Sequence, residues 1–167
     1  LRLVDVQCRL FTAYYEDSQF EPATRLLRKI LDSESRWSGL SVSNVLVALD
    51  AAGRLQLGRE DYTNAELLLS ENLRLLEKMQ PGRSPTFVAQ AMVGATLFRQ
   101  KRYEEAAPLL SRAYEGLKKR DAVSRQDPSR AQRMAFIAQG LTELYEAWGK
   151  PKEAAEWRQK APGGNPV

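Results

Sequence analysis

Residues 103–119 read YEEAAPLLSRAYEGLKK, and this stretch decides the fold. It begins with an aromatic residue, and alanine follows three positions later. From there apolar residues recur at steps of three and four, while charged residues fill the remaining positions. The apolar positions are Ala106, Leu109, Leu110, Ala113, Tyr114 and Leu117. This spacing predicts an amphipathic α-helix with one buried face.

The opening of this helix recurs three more times along the chain. Each copy starts with an aromatic residue or a proline and has alanine three positions later. The four copies are Phe20-Glu21-Pro22-Ala23, Tyr62-Thr63-Asn64-Ala65, Tyr103-Glu104-Glu105-Ala106 and Pro151-Lys152-Glu153-Ala154. Their alanines are separated by 42, 41 and 48 residues (65 − 23, 106 − 65 and 154 − 106). A nearly constant period of this length indicates a stacked array of repeats, and such arrays bind partners along an extended surface.

Each period predicts two helices, because a second apolar stripe precedes each copy of the motif. The first helices are predicted over residues 3–16, 41–57, 85–100 and 129–148. The second helices are predicted over 20–32, 61–79, 103–119 and 151–160. Asp61 is the expected N-cap of its helix. Pro-, Gly- and Ser-containing connectors separate the pairs, and the tail 161–167 is expected to be flexible.

Small residues in the pattern have a packing reason. The repeated alanine is expected where the two helices of a pair approach most closely, since a larger side chain would separate them. Gly53 and Gly94 each lie nine residues before the aromatic residue of their pair (62 − 53 and 103 − 94). They are expected to allow the same close approach.

These offsets resemble the tetratricopeptide repeat. The resemblance rests on the spacing of Gly53, Tyr62 and Ala65, of Gly94, Tyr103 and Ala106, and of Tyr145, Gly149 and Ala154. The period of about 42 residues is similar to the long variant found in kinesin light chain. The resemblance implies an all-α, right-handed superhelix of about four antiparallel helix pairs. It would fill a domain of residues 1–160, with repeats at about 1–35, 38–80, 84–120 and 128–160.

The stretch from Tyr103 to Lys150 is similar, more specifically, to C-terminal repeat regions of bacterial proteins. Several of those proteins carry a serine/threonine kinase domain ahead of the repeats. Neither a Gly-rich phosphate loop nor a His-Arg-Asp segment occurs in this sequence. Because the chain begins at Leu1, in what reads as mid-helix, we expect it to be part of a longer protein.

Composition argues against catalysis. The 167 residues include no histidine and one cysteine, Cys8, so a thiol–imidazole pair is impossible and the commonest metal ligand is missing. We therefore expect no enzymatic activity, no metal and no cofactor, and a buried packing role for Cys8. The absence of an internal disulfide fits a reducing compartment, and we expect a cytoplasmic location. No apolar run is long enough to suggest membrane contact.

The tetratricopeptide resemblance implies that the first helix of each pair lines an inner groove. The residues that we expect to form this partner-binding groove are Asp50, Arg54, Leu57, Ala91, Ala95, Phe98, Gln139 and Glu143. Further candidates on the inner helices include Cys8, Tyr15, Val47, Val88, Phe136 and Glu146. Apolar burial would supply affinity for a protein or peptide segment, and flanking charges would set its register. Ala91 and Ala95 offer no charged grip for a C-terminal carboxylate, which disfavours binding of chaperone tails.

Two other classes of function compete with the groove. The Lys118–Arg133 segment is the densest basic stretch and could bind nucleic acid or another anion. Basic residues also favour helix C-termini, and this segment has no aromatic residues for base stacking, so nucleic acid is the less favoured partner. The net charge of +4, from 25 basic and 21 acidic residues, is small. A third class is a passive spacer, or a module that self-associates through its ends.

Overall fold

The computed structural model of the chain describes residues 3–34, 39–119 and 128–161. Within these ranges the fold is all-α, with eight helices and no β-strand. The helices are α1 (Leu3–Glu16), α2 (Phe20–Asp32), α3 (Gly39–Gly58), α4 (Tyr62–Met79), α5 (Ser84–Arg99), α6 (Tyr103–Lys119), α7 (Pro128–Ala147) and α8 (Pro151–Lys160). All eight predicted helices are present, with ends within two residues of the predicted ones. The tail beyond residue 161 lies outside the described residues.

Two compact units divide the chain, Leu1–Leu75 and Leu76–Val167. In the first unit α1 packs against α2 and α3, and its core includes Phe11, Tyr15, Leu27, Val45, Leu49 and Leu68. In the second unit α6 packs between α5 and α7, α8 packs on α7, and α5 also contacts α7. Its buried residues include Leu97, Leu110, Leu117, Leu141, Leu144 and Trp157. The single repeat domain and its superhelix stay predictions.

The turn inside each helix pair has the same backbone conformation. Ser18, Glu60, Lys101 and Gly149 have left-handed φ angles of 59°, 62°, 63° and 76°. After each of them, a backbone N–H donates to the carbonyl five residues earlier. These bonds are Gln19 to Tyr14 (2.8 Å), Asp61 to Gln56 (3.0 Å), Arg102 to Leu97 (3.0 Å) and Lys150 to Tyr145 (2.8 Å). This is the Schellman helix ending. The four turns are spaced like the repeated alanines, so the repeat exists in the backbone as well as in the sequence.

The repeated alanines are buried, and Gly53 and Gly94 lie at close helix contacts, as predicted. Ala23, Ala65, Ala106 and Ala154 are all buried. A Cβ atom at Gly53 would lie 2.6 Å from Leu69 Cγ, and one at Gly94 would lie 2.8 Å from Leu110 Cγ. Both distances are shorter than carbon atoms tolerate, so glycine lets the two helices of these pairs approach.

Side chains satisfy helix ends in the first unit. The backbone N–H of Asn64 donates to Asp61 Oδ1 at 3.2 Å, which confirms Asp61 as a cap. The Arg59 guanidinium donates to the carbonyl oxygens of Tyr15 (3.0 Å) and Glu16 (3.2 Å). Those carbonyls belong to the last turn of α1, where no intrahelical donor is available. Arg59 therefore ties the second helix pair to the end of α1.

Candidate functional site

The first-unit part of the predicted groove lies on α3. Asp50, Arg54 and Leu57 follow one another at steps of four and three, which places them along one face of the helix. Arg54 Nε donates to Asp50 Oδ2 at 2.7 Å, and both side chains are partly exposed to solvent. The two charges therefore compensate each other in the structure, and a charged partner would have to compete with this pair. One turn earlier on the same helix, Val47 is 68% exposed.

The second-unit part of the predicted groove lies on α5 and α7, which contact each other. Ala91, Ala95 and Phe98 are half-buried on α5. Gln139 and Glu143 are exposed on α7, and Gln139 Nε2 donates to Glu143 Oε1 at 3.0 Å. The structure thus brings these five residues onto two neighbouring helices of one unit. Asp50, Arg54 and Leu57 belong to the first unit.

Phe136, one of the further candidates, stands out by its exposure. Its side chain is 68% exposed on α7, one turn before Gln139. Aromatic side chains are enriched among the residues that anchor protein interfaces, which makes Phe136 a candidate anchor. Its repeat position matches that of Val47, since the α7 and α3 positions differ by 89 residues (41 + 48). The first helices of two pairs, α3 and α7, therefore expose an apolar side chain at the same repeat position.

Cys8 and Tyr15 were inner-face candidates, and the structure corrects both. Both side chains are buried in the first-unit core and cannot line a surface. The predicted packing role of Cys8 is confirmed. Burial, and next the negative charge of Asp5, raise the pKa of the Cys8 thiol to about 11. The thiol therefore stays protonated at neutral pH and is a poor nucleophile.

A run of half-buried aromatic rings links α5 to the α7–α8 turn. The ring of Phe98 lies 6.1 Å from that of Tyr103, and Tyr103 lies 6.1 Å from Trp148, centroid to centroid. Trp148 stacks on Tyr145 at 6.0 Å, and Lys150 Nζ lies 3.4 Å from the centre of the Trp148 ring. Sequence reasoning missed this cluster. Phe98 is therefore partly used by packing, because its ring contacts Tyr103 inside its own pair.

The Lys118–Arg133 basic segment is only partly described. Lys118 and Lys119 are exposed at the C-terminus of α6, while residues 120–127 lie outside the described residues. Exposed lysines in the last turn of a helix interact favourably with the helix dipole, and this explains their position without a bound ligand. Lys118 and Lys119, which the structure describes, therefore do not by themselves indicate a nucleic-acid site.

The described residues contain no group of histidine, cysteine or carboxylate side chains that could hold a metal ion.

The raised pKa values of Tyr15, Tyr114 and Tyr145 arise first from burial, and nearby carboxylates raise them further. In a surface cluster on the first unit, Arg74 donates hydrogen bonds to the carboxylates of Glu71 and Glu34, and these bonds raise the pKa of its guanidinium. In the part of the chain that the structure describes, no helix combines the length and the apolar character needed to cross a membrane. Neither protein-family models nor curated proteins match this chain.

Proposed function

We propose that the chain is a non-catalytic module that binds a protein or peptide segment along its inner helices. The observation that carries the proposal is the exposure of Val47 and Phe136, each 68%, at the same repeat position. Half-buried Ala91 and Ala95 add shallow apolar surface on α5, beside α7. Apolar contact of this kind supplies most of the affinity when a groove lined by helices binds a peptide. Charged side chains at the edge of the groove fix the register of the bound peptide.

The identification of the repeats as tetratricopeptide repeats is part of this proposal. It is supported by the four alanines and by the four turns with equal backbone geometry at the same spacing. By the same resemblance, the chain would belong to a larger bacterial protein, in some cases one that carries a kinase domain. A cytoplasmic location is proposed because the one cysteine, Cys8, is a free thiol.

The proposal is tested with matched variants of exposed apolar residues. Proteins captured by the immobilised chain are identified by mass spectrometry, and the capture is repeated with Val47→Ala, Phe136→Ala and Leu67→Ala. Leu67 is 52% exposed but lies on α4, a second helix. We expect both inner-helix variants to lose the partner and Leu67→Ala to keep it, with unchanged melting temperatures. Equal loss in all three would mean unspecific apolar adsorption and would refute the groove.

Self-association is the second candidate function, and a specific observation favours it. Leu3, Val6 and Leu10 are exposed along one stripe of α1, at steps of three and four. This heptad-like spacing is typical of helices that pair with other helices. Sedimentation over a range of concentrations would reveal dimers, and Leu3→Glu with Leu10→Glu would abolish them. A chain that stays monomeric at high concentration would eliminate this function.

Nucleic-acid or anion binding at the basic segment is an outcome that the same experiments can reveal. Binding through phosphate contacts weakens steeply with salt. If the captured partner were nucleic acid, and neutralising Lys118 and Lys119 abolished capture with a steep salt dependence, the groove proposal would be replaced by this alternative. We also expect no release of phosphate from nucleotides by the purified chain.

A further inference from the structure

Helix α7 of the second unit carries an exposed aromatic ring, Phe136, and contacts α5. Phe136 is the one aromatic residue among the strongly exposed large apolar side chains of the described residues. Ala91 and Ala95 are half-buried on α5, and α5 contacts α7. The exposed ring of Phe136 is accessible to an apolar side chain of a partner.

Glu143 supplies a negative charge on α7 that no described lysine or arginine pairs with. It lies two turns after Phe136 and accepts a hydrogen bond from the neutral amide of Gln139. The neighbouring Glu146, by contrast, is paired with Arg158, as Asp50 in the first unit is paired with Arg54. The Gln139 bond holds one carboxylate oxygen of Glu143 in place and leaves the carboxylate charge uncompensated.

The distance between Phe136 and Glu143 sets the distance between the matching side chains of a partner. Phe136 and Glu143 are seven residues apart on one helix, which corresponds to about 10 Å along the axis. An extended peptide covers about 3.3 Å per residue, so it spans this distance in about three residues. A helical partner lying along α7 would instead need about seven residues.

We infer that the surface of α7 around Phe136 and Glu143 takes an extended peptide segment in which an apolar residue and a lysine or arginine stand about three residues apart. The inference rests on the proposed function, and it adds the chemistry of the partner. The apolar side chain contacts Phe136, and the basic side chain pairs with Glu143. Because the pair is exposed, it contributes mainly to selectivity and to a salt-dependent part of the affinity.

The test is a selection of random twelve-residue peptides on phage by the full 167-residue chain, repeated with two charge-reversal variants. Glu143→Lys reverses the proposed site. Glu104→Lys makes the same change at an exposed carboxylate on the second helix of the neighbouring pair, and serves as the control. We expect the wild type and the control to enrich an apolar residue with Lys or Arg about three positions away. Glu143→Lys should enrich Asp or Glu at that position instead.

Affinities of the selected peptides check the strength of the pair. Replacing the basic residue of a peptide by alanine should weaken binding by about five-fold, the scale of an exposed ion pair. The Glu143→Gln variant should show the same loss and no further loss with the alanine peptide. Three results would overturn the inference and leave the proposed function standing. The selected peptides could show no charge preference, they could show a seven-residue spacing, or their preference could be unchanged in Glu143→Lys. Failure to select any peptide would overturn both.

Discussion

Replacing Gly94 by alanine tests the helix contact on which the repeat packing depends. The new methyl group would lie 2.8 Å from Leu110 Cγ, 3.2 Å from Leu110 Cδ2 and 3.3 Å from the Ala106 carbonyl oxygen. Leu110 is buried, and its Cγ is a branch point, so it cannot move aside freely. Overpacking of this kind costs about 1–3 kcal/mol. Alanine regains about 1 kcal/mol of helix propensity, so we expect a net loss of about 0–2 kcal/mol.

Gly140→Ala is the matched control for this prediction. Gly140 also lies inside a helix, α7, but a Cβ atom there would meet nothing within 4 Å. The control should therefore stabilise the protein by about 1 kcal/mol, the propensity gain alone. Since that gain is common to both sites, the difference between the two variants should equal the overpacking cost of about 1–3 kcal/mol. Urea unfolding followed by far-ultraviolet circular dichroism measures both free energies.

A double variant identifies the atom responsible. Leu110→Ala removes the group that the new methyl would meet, so adding Gly94→Ala in that background should cost nothing or stabilise. The coupling free energy between the two sites should then be about 1–3 kcal/mol. If Gly94→Ala stabilised the protein as much as Gly140→Ala does, α5 and α6 would not approach at Gly94, and our account of the small residues would be wrong.

Three further predictions concern single residues. Gly149→Ala should cost about 1 kcal/mol, because its φ of 76° is left-handed while nothing within 4 Å opposes a methyl group; an unchanged urea midpoint would refute the turn geometry. Gln56→Leu should raise the unfolding free energy by about 1–3 kcal/mol, because the Gln56 amide is buried and no described residue hydrogen-bonds to it. A lower unfolding free energy would show that the amide does have a hydrogen-bond partner. The Cys8 thiol should react slowly with iodoacetamide in the folded chain at mildly alkaline pH and rapidly in urea. Burial raises the pKa of this thiol from 9.0 to about 11, so between these pH values the folded chain keeps a proton that the unfolded chain loses. The contribution of Cys8 to stability should therefore fall as the pH rises through that range. A Cys8→Ala variant with the same pH dependence of stability would refute this.

The helices follow from local information and were therefore predictable. Apolar residues at steps of three and four define one face of each helix, and caps such as Asp61 mark its ends, whatever the rest of the chain does. The repeat of aromatic and alanine residues likewise predicted the paired helices, and the need for glycine at positions 53 and 94. These features depend on residues close in sequence or on a pattern that occurs four times.

Only part of the candidate site could be predicted. In the sequence, Asp50 and Arg54, and likewise Gln139 and Glu143, stand four residues apart within predicted helices, the spacing at which such pairs form. It could not show that Tyr15 is buried while Phe136 is exposed, since both lie on inner helices. That difference depends on how far each helix is rotated about its axis and on what packs against it, which periodicity does not specify.

The tertiary structure alone decided the contacts between distant residues. The Phe98–Tyr103–Trp148 run brings together rings that are 45 residues apart between Tyr103 and Trp148 (148 − 103). A Cβ atom at Gly116 would overlap the ring of Phe87, so glycine at this position leaves room for that ring. Nothing in the repeat pattern marks this contact, because Gly116 has no equivalent in the motif. The sequence by itself determined the helices and their pairing, through short-range periodicity. The separation and rotation of packed helices, which depend on all their side chains at once, determined which side chains stay exposed to solvent.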